Sequence, residues 1–170
     1  YNLEVNVNPK SKSIFGKNTI YYKILKKNNK MQIDLQHPMK LTMATQRGKP
    51  LNITHNGNVH YITLQTPQIK NNIDSLTVYF EGTPKEAVNP PWDGGFSWGK
   101  DVNGVDFIAT SCQGLGASVW WPNKDHLYDE VDSMHISINV PKKLKAISNG
   151  RLVRVLNSKK TKSFKWYVSN

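Results

Sequence analysis

The sequence predicts an all-β protein: an antiparallel, saddle-like β-sandwich of layered sheets with no substantial helix. Three observations carry this. Apolar residues recur with period two along at least five stretches. Turn-forming clusters separate those stretches at short intervals. No window shows sustained helical spacing of apolar residues. A strand sends successive side chains to opposite faces, so period two marks one buried and one wet face. Strands buried on both faces would be apolar throughout, so the alternation points to antiparallel pairing.

The elements follow in order. In "YNLEVNV", Tyr1, Leu3, Val5 and Val7 alternate with polar residues. Ile20, Tyr22 and Ile24 do so in "TIYYKIL", and Met31, Ile33 and Leu35 in "MQIDL". Leu76, Val78 and Phe80 line one face of "SLTVYF". Met134, Ile136, Ile138 and Val140 run unbroken through "SMHISINV". "NPKSKS", "LKKNN", "QRGKP" and "HNGN" punctuate the first half as turns. Asn149-Gly150 carries the signature of a two-residue type I′ hairpin. The Pro- and Gly-rich stretch at about 81–104 reads as a long connection holding a small "GFSW…DFIA" hairpin, and long connections in compact domains often carry function.

At 170 residues the chain suits a single β domain spanning 1–170, on a prior of roughly 100–200 residues per domain. Twelve Trp and Tyr residues set it apart from disordered chains, which are poor in aromatics. No apolar run approaches the ~20 residues that span a bilayer. The chain starts at Tyr1 with residues that already read as strand, and it stops just after another apparent strand. This reads as a processed start and as one domain of a longer protein. Both an exported and a cytoplasmic location stay open, with the lean toward export.

Formal net charge is +11. The lysines cluster in "KILKKNNK", "PKKLK" and "KKTKSFK", each in or beside an expected hairpin. They read as solvated turns and guarded sheet edges, since charge alone defines no nucleic-acid groove.

Candidate chemistry concentrates in "TSCQGLGASVWWPNKDHLYDE", Thr110 to Glu130. The one cysteine, Cys112, excludes an internal disulfide or a multi-cysteine zinc site. As a nucleophile it would need His126 as base, whereas its setting in apparent strand suits a buried thiol. His37, His55, His60, His126 and His135 include no H-E-x-x-H pattern and no pair four residues apart. His126 with Asp125, Asp129 and Glu130 reads as an exposed acidic turn rather than a cation loop. Adjacent Trp120 and Trp121, read as strand, would point to opposite faces. With Trp92 and Trp98 they could form a sugar-stacking platform, so a carbohydrate-binding β-sandwich module is the alternative reading.

Taken together, this segment resembles the N-terminal domain of zinc aminopeptidases of the aminopeptidase N family, which includes leukotriene hydrolase. That family carries a T-x-C-(E/Q) strand followed by P-x-x-D. Thr110, Cys112, Gln113, Pro122 and Asp125 fall on the matching positions. "YNLEVNVNPKSKSIFGKNTIYYKI" looks like its opening hairpin, and "DSLTVYFEGTP" and "MHISINVPKKLKAISNGRL" resemble later strands. The likeness runs in order along essentially the whole chain.

The resemblance implies a hydrolase parent whose zinc, H-E-x-x-H and G-x-M-E-N motifs lie in a separate catalytic domain. This chain alone is then expected to be inactive, with no catalytic residue, no metal ligand and no cofactor of its own. The implied partners are the catalytic domain of the same polypeptide and the peptide N-terminus, not nucleic acid. The resemblance also assigns Gln113 to substrate binding: it would hold the free α-amino group. Many relatives have glutamate there, so glutamine is a weaker, neutral anchor.

Overall fold

The computed structural model describes residues 1–65, 67–90, 92–126 and 128–170. Thirteen strands follow in chain order: β1 (Asn2–Asn8), β2 (Ser13–Lys23), β3 (Lys30–Asp34), β4 (Lys40–Gln46), β5 (Lys49–Pro50), β6 (Ile53–Asn56), β7 (Val59–Thr63), β8 (Ile73–Gly82), β9 (Gly95–Lys100), β10 (Asp106–Ser111), β11 (Ser133–Pro141), β12 (Arg151–Asn157) and β13 (Thr161–Ser169). Among the described residues the only helical element is one 3₁₀ turn at Ala117–Val119. The protein is all-β, as the period-two pattern requires.

Eight strands form one sheet in the order β12-β13-β11-β1-β2-β8-β4-β5. A three-stranded sheet, β3-β7-β6, and the β9–β10 hairpin form two smaller sheets. Alternation places the core. Leu3 and Val5 of β1, Ile20 of β2, and Leu76, Val78 and Phe80 of β8 are buried on one face of the large sheet. The half containing β2, β8 and β4 packs Ile20, Ala44, Leu76 and Val78 against Ile33 of β3 and Ile62 of β7. The half containing β1 and β11 packs Leu3, Val5 and Ile136 against Phe96 of β9 and Trp121. Burying each large aliphatic or aromatic side chain contributes about 1.5–3 kcal/mol. The opposite face is polar: Glu4 pairs with Lys17 across β1–β2 at 3.3 Å, and the Thr19 and Thr77 hydroxyls meet at 2.9 Å.

Two details depart from the sequence expectation. Between the named strands pairing is antiparallel except for β1 and β11, which run parallel with Leu3 opposite Ile136, and an isolated bridge joins Glu86 to Phe96 in parallel. A parallel pair needs a long crossover, and the chain between Asn8 and Ser133 supplies it. Asn149-Gly150 turns no hairpin either. β12 pairs with β13, and β13 separates it from β11. Gly150 is still required, because φ is +85° and a Cβ there would lie 2.2 Å from the Tyr167 carbonyl oxygen. The type I′ geometry occurs instead at Arg47-Gly48, where β4 turns into β5 with φ of +51° and +76°.

Candidate functional site

The expected "GFSW…DFIA" hairpin forms, with Ile108 opposite Trp98 and Thr110 opposite Phe96. β10 ends at the buried Ser111, and the chain then turns sharply. The Gly116 amide donates to the Cys112 carbonyl at 3.1 Å, closing a loop with Gln113, Gly114 and Leu115 at its tip. All three are exposed. Gly114 and Gly116 have φ of +85° and +79°, a region that favours glycine.

Three sets of contacts hold the base of this turn. The Asp125 carboxylate accepts the Ser118 hydroxyl at 2.6 Å and its amide at 3.4 Å. The Gln36 amide donates to the Ser118 carbonyl at 2.8 Å. Its side-chain nitrogen reaches the Leu115 carbonyl at 2.7 Å and the Ser118 hydroxyl at 2.9 Å. Further along, Asp34 and Asn123 exchange backbone bonds of 2.8 and 3.2 Å, and the Asp125 amide donates to the Asp34 carboxylate at 3.1 Å. Buried Asn18 donates to the Pro122 carbonyl at 2.9 Å, tying the segment to the centre of the large sheet.

A neighbouring loop meets the turn. Glycine at position 94 leaves room for Leu115, whose Cδ1 would lie 2.4 Å from an added Cβ. That loop is ordered by Asp93, whose carboxylate accepts the Val88 and Asn89 amides at 2.5 and 2.8 Å. The Asn89 amide leads the causes that hold the Asp93 carboxyl below its ordinary value. Trp92, beside Asp93, is 67% exposed.

Gln113 thus presents a carboxamide with no hydrogen-bond partner among the described residues, on a turn whose backbone is fixed from both sides. An exposed carboxamide offers one acceptor oxygen and two donor hydrogens. Cys112 is half-buried. Burial pushes its thiol up, with the Trp120 indole partly offsetting the rise. No hydrogen bond joins Cys112 to His126 among the described residues. His126 is exposed, and its Nδ1 accepts the Tyr128 amide at 3.2 Å. The acidic turn is committed elsewhere: Asp125 to Ser118, Asp129 to Lys124 and Glu130 to Asn170. Among the described residues no three His, Cys, Asp or Glu side chains converge as a metal site.

The tryptophans correct a sequence expectation. Trp120 and Trp121 follow the 3₁₀ turn, not a strand, and both pack into one core. Trp121 stacks edge-on against Tyr1 at 5.6 Å, and Trp120 against Phe96 at 5.7 Å. Trp98 joins that core through Phe96 at 5.3 Å. Of the four rings considered for a sugar platform only Trp92 is exposed, and one ring is no platform. Sequence reasoning missed Gln36, Asp34 and Asn18, which lie far from Gln113 in the chain and carry no local signal.

No protein-family model matches the chain, and no curated protein matches it in sequence. Solved structures match its fold. An M1 zinc metallopeptidase from Deinococcus radiodurans superposes with a TM-score of 0.78 at 17% identity, over 98% of this chain and 37% of that one. A two-domain M1 zinc metallopeptidase bound to L-arginine gives 0.79 at 18% identity, with the same coverage. Native yeast LTA4 hydrolase gives 0.70 at 13% identity, over 96% of this chain and 25% of that one. The chain therefore spans well under half the length of the structures it matches. It has the fold of the N-terminal β domain of the M1 zinc metallopeptidases, the group its sequence resembles.

Proposed function

We propose that this chain is the N-terminal scaffold and substrate-anchoring domain of a zinc-dependent aminopeptidase, and that Gln113 receives the free α-amino group of the peptide. The observation that carries the reading is the exposed Gln113 carboxamide at the tip of a turn fixed by Asp125 and Gln36. An α-ammonium has donors only, so its receptor must supply acceptors, and the Gln113 side-chain oxygen is one. A fixed turn contributes orientation, because a positioned acceptor loses little freedom when the substrate arrives. Zinc, when bound in the catalytic domain, would polarise the scissile carbonyl and activate water. This chain's part is confined to holding one end of the substrate.

The test uses the full-length protein and aminoacyl reporter substrates. A hydrogen bond to a charged group contributes about 1.5–3 kcal/mol, so Gln113→Ala should lower kcat/KM by roughly 10- to 100-fold. Gln113→Glu should retain or raise it, because a charged acceptor binds an ammonium more strongly. Unchanged kinetics for Gln113→Ala would end the assignment. Residues 1–170 alone, supplied with zinc, should show no turnover.

A further inference from the structure

β12 is the terminal strand of the eight-stranded sheet, bonded to β13 on one side and, among the described residues, to no strand on the other. Such an edge offers unpaired amides and carbonyls to another extended chain. All seven of its residues are exposed. They include Leu152, Val153, Val155 and Leu156, each 36–59% exposed. A bulge between Leu152 and Arg154 interrupts the ladder, so Arg154–Asn157 is the regular stretch. Val155 lies opposite Phe164 and extends the core face outward. Arg154 and Leu156 lie opposite Lys165 and Ser163 on the open face. A strand laid beside β12 would meet aliphatic side chains on both faces.

Charge defines the rest. The Lys142 amide donates to the Lys160 carbonyl at 2.9 Å. This bond draws the "PKKLK" segment against the β12–β13 turn and joins two lysine clusters that are separate in sequence. From Ser133 to Asn170 the chain carries nine Lys or Arg and no Asp or Glu. None of the ion pairs among the described residues involves any of them. The edge therefore combines an open ladder and bare aliphatics with a cation cluster at one end.

We propose that β12 is a docking edge for an extended peptide in which a short aliphatic run adjoins an acidic one, added to the sheet as a further strand. Main-chain bonds supply affinity in such additions, and alternate side chains supply specificity. The aliphatic run lies along Arg154–Asn157, and the acidic run reaches the lysine junction. A second copy of this chain fits poorly, because its β12 edge would bring Arg151 and Arg154 against the same cations, with no Asp or Glu from Ser133 to Asn170 to offset them. Nucleic acid would use stacking rings, and no Phe, Tyr or Trp between Ser133 and Asn170 is exposed. An anionic membrane would leave the open ladder unpaired.

The test titrates the full-length protein into two fluorescently labelled peptides, Val-Ile-Val-Ile preceded or followed by three Glu. Saturable micromolar binding of either one is expected, its order reporting strand direction. Replacing the three Glu by Lys, or combining Lys142→Glu with Lys160→Glu in a chain of unchanged melting temperature, should weaken binding at least ~10-fold. Hydrogen exchange at Arg154–Asn157 should slow on binding. The proposal is overturned by absence of saturation up to millimolar protein, by equal affinity for the Lys peptide, or by unprotected β12 amides. Dimerisation of the chain through β12 overturns it too, as does tighter binding to oligothymidine or phosphatidylserine vesicles than to the peptide.

Discussion

The carboxylate of Asp125 and the hydroxyl of Ser118, 2.6 Å apart, fasten the turn that carries Gln113. Ser118 is 2% exposed, so its hydroxyl has no access to water as an alternative partner. Replacing Asp125 by Ala leaves that hydroxyl with the Gln36 side chain alone, and should cost about 1–2 kcal/mol. A urea midpoint shift at unchanged slope, with faster exchange of the Gly116 amide, is the expected result. Gly116→Ala should also destabilise, because an added Cβ would lie 2.1 Å from the Asp125 carboxylate.

Asn18 is fully buried in β2 and bonds the Pro122 carbonyl. Asn18→Ala should cost about 2–3 kcal/mol, since it removes a buried partner and leaves a cavity. The loss should be visible in chemical denaturation, and tryptophan emission should shift because Trp121 precedes the freed carbonyl.

His60 faces His55 across β6–β7 with ring centroids 5.8 Å apart. Burial holds its pKa below the ordinary 6.5, and the His55 charge adds to the lowering. The unfolded chain therefore takes up a proton at higher pH than the folded chain does. The unfolded state binds more protons as pH falls below 6.5, so stability drops over that range and is restored above it. Denaturation midpoints measured from pH 7.5 down to pH 5 should decline, and His60→Gln should flatten the decline.

Cys112 sits against Trp120 with its thiol pKa raised above the ordinary 9.0 by burial. Only the thiolate reacts, so alkylation at pH 8 should be slower than that of a free thiol, and the rate should climb well past pH 9. A rate equal to that of glutathione at pH 8 would contradict the buried setting.

Much of the architecture was legible locally. Leu3, Val5, Leu76, Val78 and Phe80 alternate in sequence because they alternate across a pleated sheet, and all five are buried. The "HNGN" turn joins β6 to β7 with Gly57 at φ +57°, as a turn glycine should. The Gln113 segment stood out by composition and by family pattern. The latch on it did not, because Gln36 and Asp34 reach it from some 80 to 90 positions away in the chain. The tryptophans misled for a related reason: Trp120 and Trp121 follow glycines whose positive φ breaks the strand, so strand alternation no longer governs them.

The sequence by itself determined the all-β class and the buried face of the main strands. Those follow from side-chain period and turn chemistry, which act over a few residues. Only the tertiary structure decided that β1 lies parallel to β11, that β12 sits beyond β13 at an open edge, and that two lysine clusters meet at Lys142 and Lys160. Strand order depends on which apolar faces and backbone edges satisfy one another across the whole chain. That sum of long-range contacts is absent from any local pattern.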